Sequence, residues 1–124
     1  MTIIGLDNGI KIKSENIIKY PFYISPHSED NFCYWRRCWC LRNDIFRFVL
    51  KEEEEKYDYK LTTENIINIR KTIGNFFKYP YWWNNADWSW KEVRWILRKD
   101  YIRLLWLERY MKKHNVEVYF YDSY

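Results

Sequence analysis

Glycine and proline are scarce: each occurs three times in 124 residues, and neither occurs between Ala86 and Tyr124. Three glycines cannot build a phosphate-cradling loop at a helix start, and no Gly-x-Ser-x-Gly turn is present to expose a serine nucleophile. Cysteine is also limited to three, Cys33, Cys38 and Cys40. An odd number argues against a disulfide framework. No apolar run is long enough for a signal peptide or a membrane span. The expectation is a cytoplasmic protein with no membrane partner.

Alanine appears once, at Ala86, whereas aromatic residues make up 22% of the chain. Ile, Asn, Lys and Tyr are abundant, a bias that mirrors A+T-rich codons. The length suits one domain, residues 1–124, with a hydrophobic core of its own. In size and composition the chain resembles small accessory proteins encoded by viruses and mobile elements. That resemblance implies a protein that inhibits a host machine by binding it.

Hydrophobic patterning predicts an α+β fold. Asp7-Asn8-Gly9 lies between two apolar stretches, 2–6 and 10–13, and Asn-Gly is the strongest short hairpin signal. A second hairpin is expected over 32–50, with Arg42-Asn43-Asp44 as its turn. The stretch 15–25 holds Pro21, which confines it to an edge strand or a strand end. The run Lys51-Glu52-Glu53-Glu54-Glu55-Lys56 reads as a solvated turn. A helix follows over about 63–79, capped by Thr62 or Thr63, with Ile66, Ile69, Ile73, Phe76 and Phe77 as its apolar stripe. Pro80 ends it. A C-terminal strand over about 116–121 alternates Val116, Val118 and Phe120 with polar or aromatic neighbours. Strands followed by helices give an antiparallel sheet of four to five strands, two hairpins plus the last strand, packed on two helices.

The second helix, about 89–113, dominates the chain. Ser89 and Glu92 have capping-box spacing, and Asp87 is a competing cap. Lys112 and Lys113 suit the negative end of the helix dipole. At about 100° per residue, Val93, Ile96, Leu97, Leu104, Leu107 and Met111 share a core-facing stripe. Asp100 falls within it, so a Trp N–H, a Tyr hydroxyl or an Arg is expected to meet its carboxylate. Trp95, Ile102 and Trp106 lie on the opposite side. Residues 90–113 carry eight Lys/Arg against three Asp/Glu, while residues 1–62 carry ten of each. A basic helix on an otherwise neutral fold is a local field for an anionic partner.

Catalytic patterns are thin. Cys33, Cys38 and Cys40 with His27 lack zinc-site spacing and read as buried free thiols. Neither His27 nor His114 is placed to activate a cysteine. Asp58-Tyr59-Lys60 matches the acid-x-Lys half of a metal-dependent nuclease motif, without the other half. No metal and no cofactor is expected.

The remaining signal is a binding surface in which Trp and Tyr stand beside Arg and Lys. Its candidates are Trp82, Trp83, Trp88, Trp95, Trp106, Arg94, Arg98, Arg103 and Arg109. Two readings stay open for Trp82, Trp83 and Trp88: loop aromatics that tuck into the core, or contact residues. The leading functional expectation is a non-catalytic inhibitor that occludes a host protein or nucleoprotein complex, since Trp, Tyr and Arg dominate interface hot spots. The alternatives are a binder of nucleotides or single-stranded nucleic acid, which stacks bases on aromatics, and a small metal-dependent nuclease. The same surface would serve a homodimer.

Overall fold

A computed structural model describes residues 7–13, 31–51 and 57–123. Among these residues four antiparallel strands form one sheet in the order β2-β1-β4-β3: β1 (Asp7–Ile12), β2 (Asn31–Arg36), β3 (Asp58–Leu61) and β4 (Val118–Ser123). The helices are α1 (Trp39–Asp44), α2 (Thr63–Lys78) and α3 (Trp90–Lys113), with a π-helical segment at Ile45–Leu50 and a 3-10 turn at Pro80–Trp82. The expected α+β class is therefore observed, and so are both long helices.

Cross-strand partners share a face of the sheet. Ile10 lies opposite Cys33 and Phe120, and Ile12 lies opposite Val118, which faces Leu61 on its other side. All of these side chains are buried. The π-helical segment covers this face by setting Phe46 edge-on against Tyr59 and Phe120, at 5.3 and 5.7 Å between ring centroids. The helix α3 approaches the same face at Trp35. One row holds polar groups: Asn8 is opposite Trp35 and Asp122, and Asp122 accepts two hydrogen bonds from the buried Arg42 guanidinium, at 2.7 and 2.8 Å. Such a bidentate pair survives burial because each charge has its partner.

Two expected hairpins are corrected. Asn8-Gly9 is not a turn; it lies inside β1. Gly9 is needed for close approach, because a Cβ there would run into the Cys33 backbone carbonyl of β2. The proposed first arm, residues 2–6, lies outside the described residues, as do 15–25, His27 and most of the Glu run. In the second hairpin, β2 forms, but residues 39–50 are helical. Leu41, Ile45 and Val49 recur every four residues and are all buried, so the helical stripe wins over the β-branched and aromatic composition. The segment closes with the Lys51 N–H donating to the Phe46 carbonyl at 2.9 Å, and Lys51 adopts a left-handed φ of 54°.

Candidate binding surface

The helices α2 and α3 form an antiparallel pair whose ends are set by local chemistry. The Thr62 hydroxyl accepts from the Asn65 N–H at 3.1 Å, and the Asn65 side chain accepts from the Thr62 N–H at 2.9 Å. Ser89 and Glu92 make the same reciprocal arrangement at the start of α3, with both backbone bonds at 3.3 Å. Asp87, the competing cap, instead accepts from the Trp39 indole at 2.9 Å. Between the helices, Arg70 donates to Glu108 at 3.0 Å and to the Tyr101 hydroxyl at 3.2 Å. At the other end Phe77 and Trp90 meet edge to face at 4.9 Å.

The connection between the two helices is also tied down. The Trp83 indole donates to the Trp88 carbonyl at 2.7 Å, and its ring packs edge-on against Phe76 at 5.1 Å. The Asn85 side-chain oxygen accepts from the backbone N–H groups of Trp39 and Cys40, at 2.7 and 3.4 Å. Its amide nitrogen donates to the Arg37 carbonyl at 2.9 Å. Asn85 thus satisfies orphan donors at the start of α1 from a distant part of the chain.

One side of α3 is committed to the interior. Asp100 is buried and accepts from the Trp35 indole at 2.7 Å, with an Arg103 nitrogen 3.6 Å away. The expected partner types, a Trp N–H and an Arg, therefore meet it. Burial pushes the Asp100 carboxyl up to about 6, against the opposing pull of the Trp35 hydrogen bond and the Arg103 charge. The neighbouring Cys33 thiol is raised well above its ordinary value by burial and by the Asp100 charge. Burial likewise pushes Cys38 up to about 12 and Cys40 up to about 11. Thiols held protonated in this way are poor nucleophiles.

The other side of α3 is open. Phe77 of α2 faces Arg94, Trp95 and Arg98 of α3 around a depression of about 270 Å³. Phe77 and Arg98 also border a second depression of about 380 Å³, completed by Gly74, Tyr101 and Ile102. The two form one groove along the helix pair. Its apolar rim is exposed: Trp95 by 60%, Ile102 by 48% and Phe77 by 38%. The Arg94 guanidinium lies over the Trp95 ring, 5.4 Å from its centroid. A Cβ on Gly74 would stand 3.2 Å from the Tyr101 ring, so the glycine lets the helices close beneath the groove.

The predicted contact residues separate into groups. Arg94, Trp95 and Arg98 line the groove. Trp88 is exposed and lines a smaller cleft of about 240 Å³ between β2 and α3, together with Tyr34, Arg36 and Ile96. Trp82 is exposed on the 3-10 turn, its ring tilted against Tyr79 with centroids 4.3 Å apart. Arg109 is exposed on α3 away from these depressions. Trp83 is buried and so offers no contact face. Trp106 is half-buried, stacked on Tyr110 at 4.9 Å and on Phe32 at 6.2 Å. The side chain of Arg103 is largely covered and serves Asp100. Two residues assigned to the core are exposed instead, Ile96 and Phe77. Of the rest of the expected α3 stripe, Val93, Leu97, Leu104 and Leu107 are buried, together with the acids Asp100 and Glu108.

No protein-family model, curated protein or solved structure matches the chain.

Several polar groups outside the groove pair with one another. Asp58 pairs with Lys11 at 3.0 Å, and Lys60 lies 3.7 Å from Glu117, so the acid-x-Lys element is spread over separate ion pairs on the sheet. The His114 ring stacks on Tyr110 at 4.3 Å. Among the described residues, no three His, Cys, Asp or Glu side chains are grouped to hold a metal ion, and no helix is long and apolar enough to cross a membrane. The groove combines exposed aromatic and aliphatic surface with guanidinium groups.

Proposed function

We propose that the chain is a non-catalytic binding protein that docks a partner protein on the α2–α3 groove and acts by occluding the surface it covers. The observation that carries this reading is the exposed Phe77–Trp95–Ile102 rim set between Arg94 and Arg98. Large apolar side chains clustered on a surface mark interaction sites, and Trp with Arg is the combination most enriched at interface hot spots.

The test is capture from a lysate of the native cellular setting, with and without nuclease, using the wild type and a Trp95→Ala/Ile102→Ala double variant. A protein partner retained after nuclease and lost in the double variant, at an unchanged melting temperature, supports the reading. A partner retained equally by both proteins removes the groove from the function.

A second reading rests on the stacking of Arg94 over Trp95: aromatic and cationic groups side by side also suit single-stranded nucleic acid. Its signature is an affinity whose logarithm falls linearly with log salt. If Arg94→Ala and Arg98→Ala leave RNA and DNA binding unchanged, this reading fails.

A further inference from the structure

The chemistry of the groove restricts its occupant further than a generic partner protein. On α3 seven cationic side chains are exposed: Lys91, Arg94, Arg98, Lys99, Arg109, Lys112 and Lys113. Of its three acids, Asp100 and Glu108 are buried and engaged by Trp35 and Arg70. The third, Glu92, is held by Ser89 at the helix start, its carboxylate accepting from the hydroxyl at 2.7 Å. The exposed cations of α3 thus outnumber its one exposed acid, Glu92, although Lys112 also lies 3.8 Å from the Glu108 carboxylate. A second copy of this face would meet the first charge to like charge, which disfavours a homodimer through this surface.

The shape adds a spacing. The two depressions share Phe77 and Arg98 as their divider, one opening beside Trp95 and the other beside Ile102. Averaged over the α3 residues that line each, Arg94, Trp95 and Arg98 against Arg98, Tyr101 and Ile102, the depressions are offset by between four and five residues, roughly 7 Å at 1.5 Å of rise per residue. Side chains at i and i+4 of a helix laid along the groove come close to that separation. A groove between two helices that takes apolar anchors at such spacing is a recurrent mode of peptide recognition. Nucleic acid is less well matched, because Arg94 already covers one face of the Trp95 ring and Arg70 lies over the Tyr101 ring, which leaves Phe77 as the open ring of the second depression.

Resting on the docking reading above, we infer that the α2–α3 groove binds an acidic amphipathic helix, which seats two large apolar side chains at i and i+4 in the two depressions and sets its carboxylates against Arg94 and Arg98. The apolar anchors supply most of the affinity. The carboxylates supply orientation and a faster encounter, both weakened by salt.

The experiment uses the full chain and four probes: a helical peptide with Leu at i and i+4 flanked by Glu, the same peptide with Lys for Glu, the Glu peptide with Ser for both Leu, and an oligo-dT strand. Binding is read by calorimetry at low and high salt. The expected result is that the Glu/Leu peptide binds at least about tenfold more tightly than the Lys/Leu peptide at low salt, with a smaller gap at high salt. The Arg94→Glu/Arg98→Glu variant, checked for folding by circular dichroism, reverses that preference. Equal binding of the Glu/Leu and Lys/Leu peptides overturns the acidic partner while leaving the docking reading intact. Equal binding of the Glu/Leu and Glu/Ser peptides reduces the effect to non-specific charge and overturns the two-anchor geometry. Binding of oligo-dT with none of the peptides overturns both the inference and the docking reading in favour of nucleic acid. Failure of all four probes overturns the inference alone, because the lysate capture judges the docking reading separately.

Discussion

The two sides of α3 use the same residue types for opposite ends. Towards the sheet, Trp35, Arg103 and Asp100 form a sealed polar contact, with an indole hydrogen bond of 2.7 Å. Towards α2, Trp95, Arg94 and Arg98 stand in the open around a groove. The difference lies in which groups find partners within the fold. Where a carboxylate sits on the inner stripe, it draws in a donor and a cation, because an unpaired buried charge is costly. Where no acid faces them, the same cations stay outside with the aromatics beside them. An outer surface rich in Trp and Arg is then left where no carboxylate draws those groups inward.

The largest test of this contrast is a pair of substitutions. Trp35→Ala empties a fully buried site and strips Asp100 of its donor, so it is expected to cost about 3–5 kcal/mol in denaturant unfolding. Trp95→Ala on the open side is expected to change stability by no more than about 0.5 kcal/mol. Similar losses for both would erase the distinction between the two sides.

The second test is pH. The Asp100 carboxyl is raised from 3.8 to about 6 in the folded protein. The folded state therefore holds this proton more tightly than the unfolded state. The associated stabilisation is fully present below the ordinary carboxylate range and is lost as pH rises through about 6. The loss is on the order of 3 kcal/mol between pH 4 and pH 7. Asp100→Asn should flatten that part of the stability profile relative to the wild type. An unchanged profile would mean that Asp100 does not titrate in its buried setting. Glu117 works in the opposite sense, since Lys13 lowers its carboxyl, and the difference between variant and wild type isolates Asp100 from it.

A smaller effect sharpens the comparison from the other direction. Ser89→Ala removes a helix cap just before Arg94 and Trp95 and is expected to cost about 1 kcal/mol. Hydrogen exchange should report the loss in the first turns of α3, with the Trp35–Asp100 contact unaffected. Exchange that rises equally along the whole helix would show that its two sides open together.

Both long helices were legible because their signals are local. Thr62, Ser89, the isoleucine stripe and the absence of breakers each act within a few residues. The stretch 39–50 was misread because Phe46, Phe48 and Val49 have strand-like composition, and the spacing of Leu41, Ile45 and Val49 was the stronger indicator. Asn8-Gly9 was misread for a different reason. Its glycine serves a neighbouring strand about 24 residues further on, a cause that local turn chemistry does not contain. The candidate site was legible as a composition, Trp and Arg on one helix. The groove was not legible as a shape, because it depends on Phe77 and Gly74 arriving from α2.

The position of β4 has a consequence for how the molecule comes together. It lies between β1 and β3 and pairs with both. Among the described residues β3 meets the β1–β2 ribbon only through residues 118–123. Joining the two parts of the sheet therefore depends on pairings between segments far apart in sequence, the class of contact that slows folding.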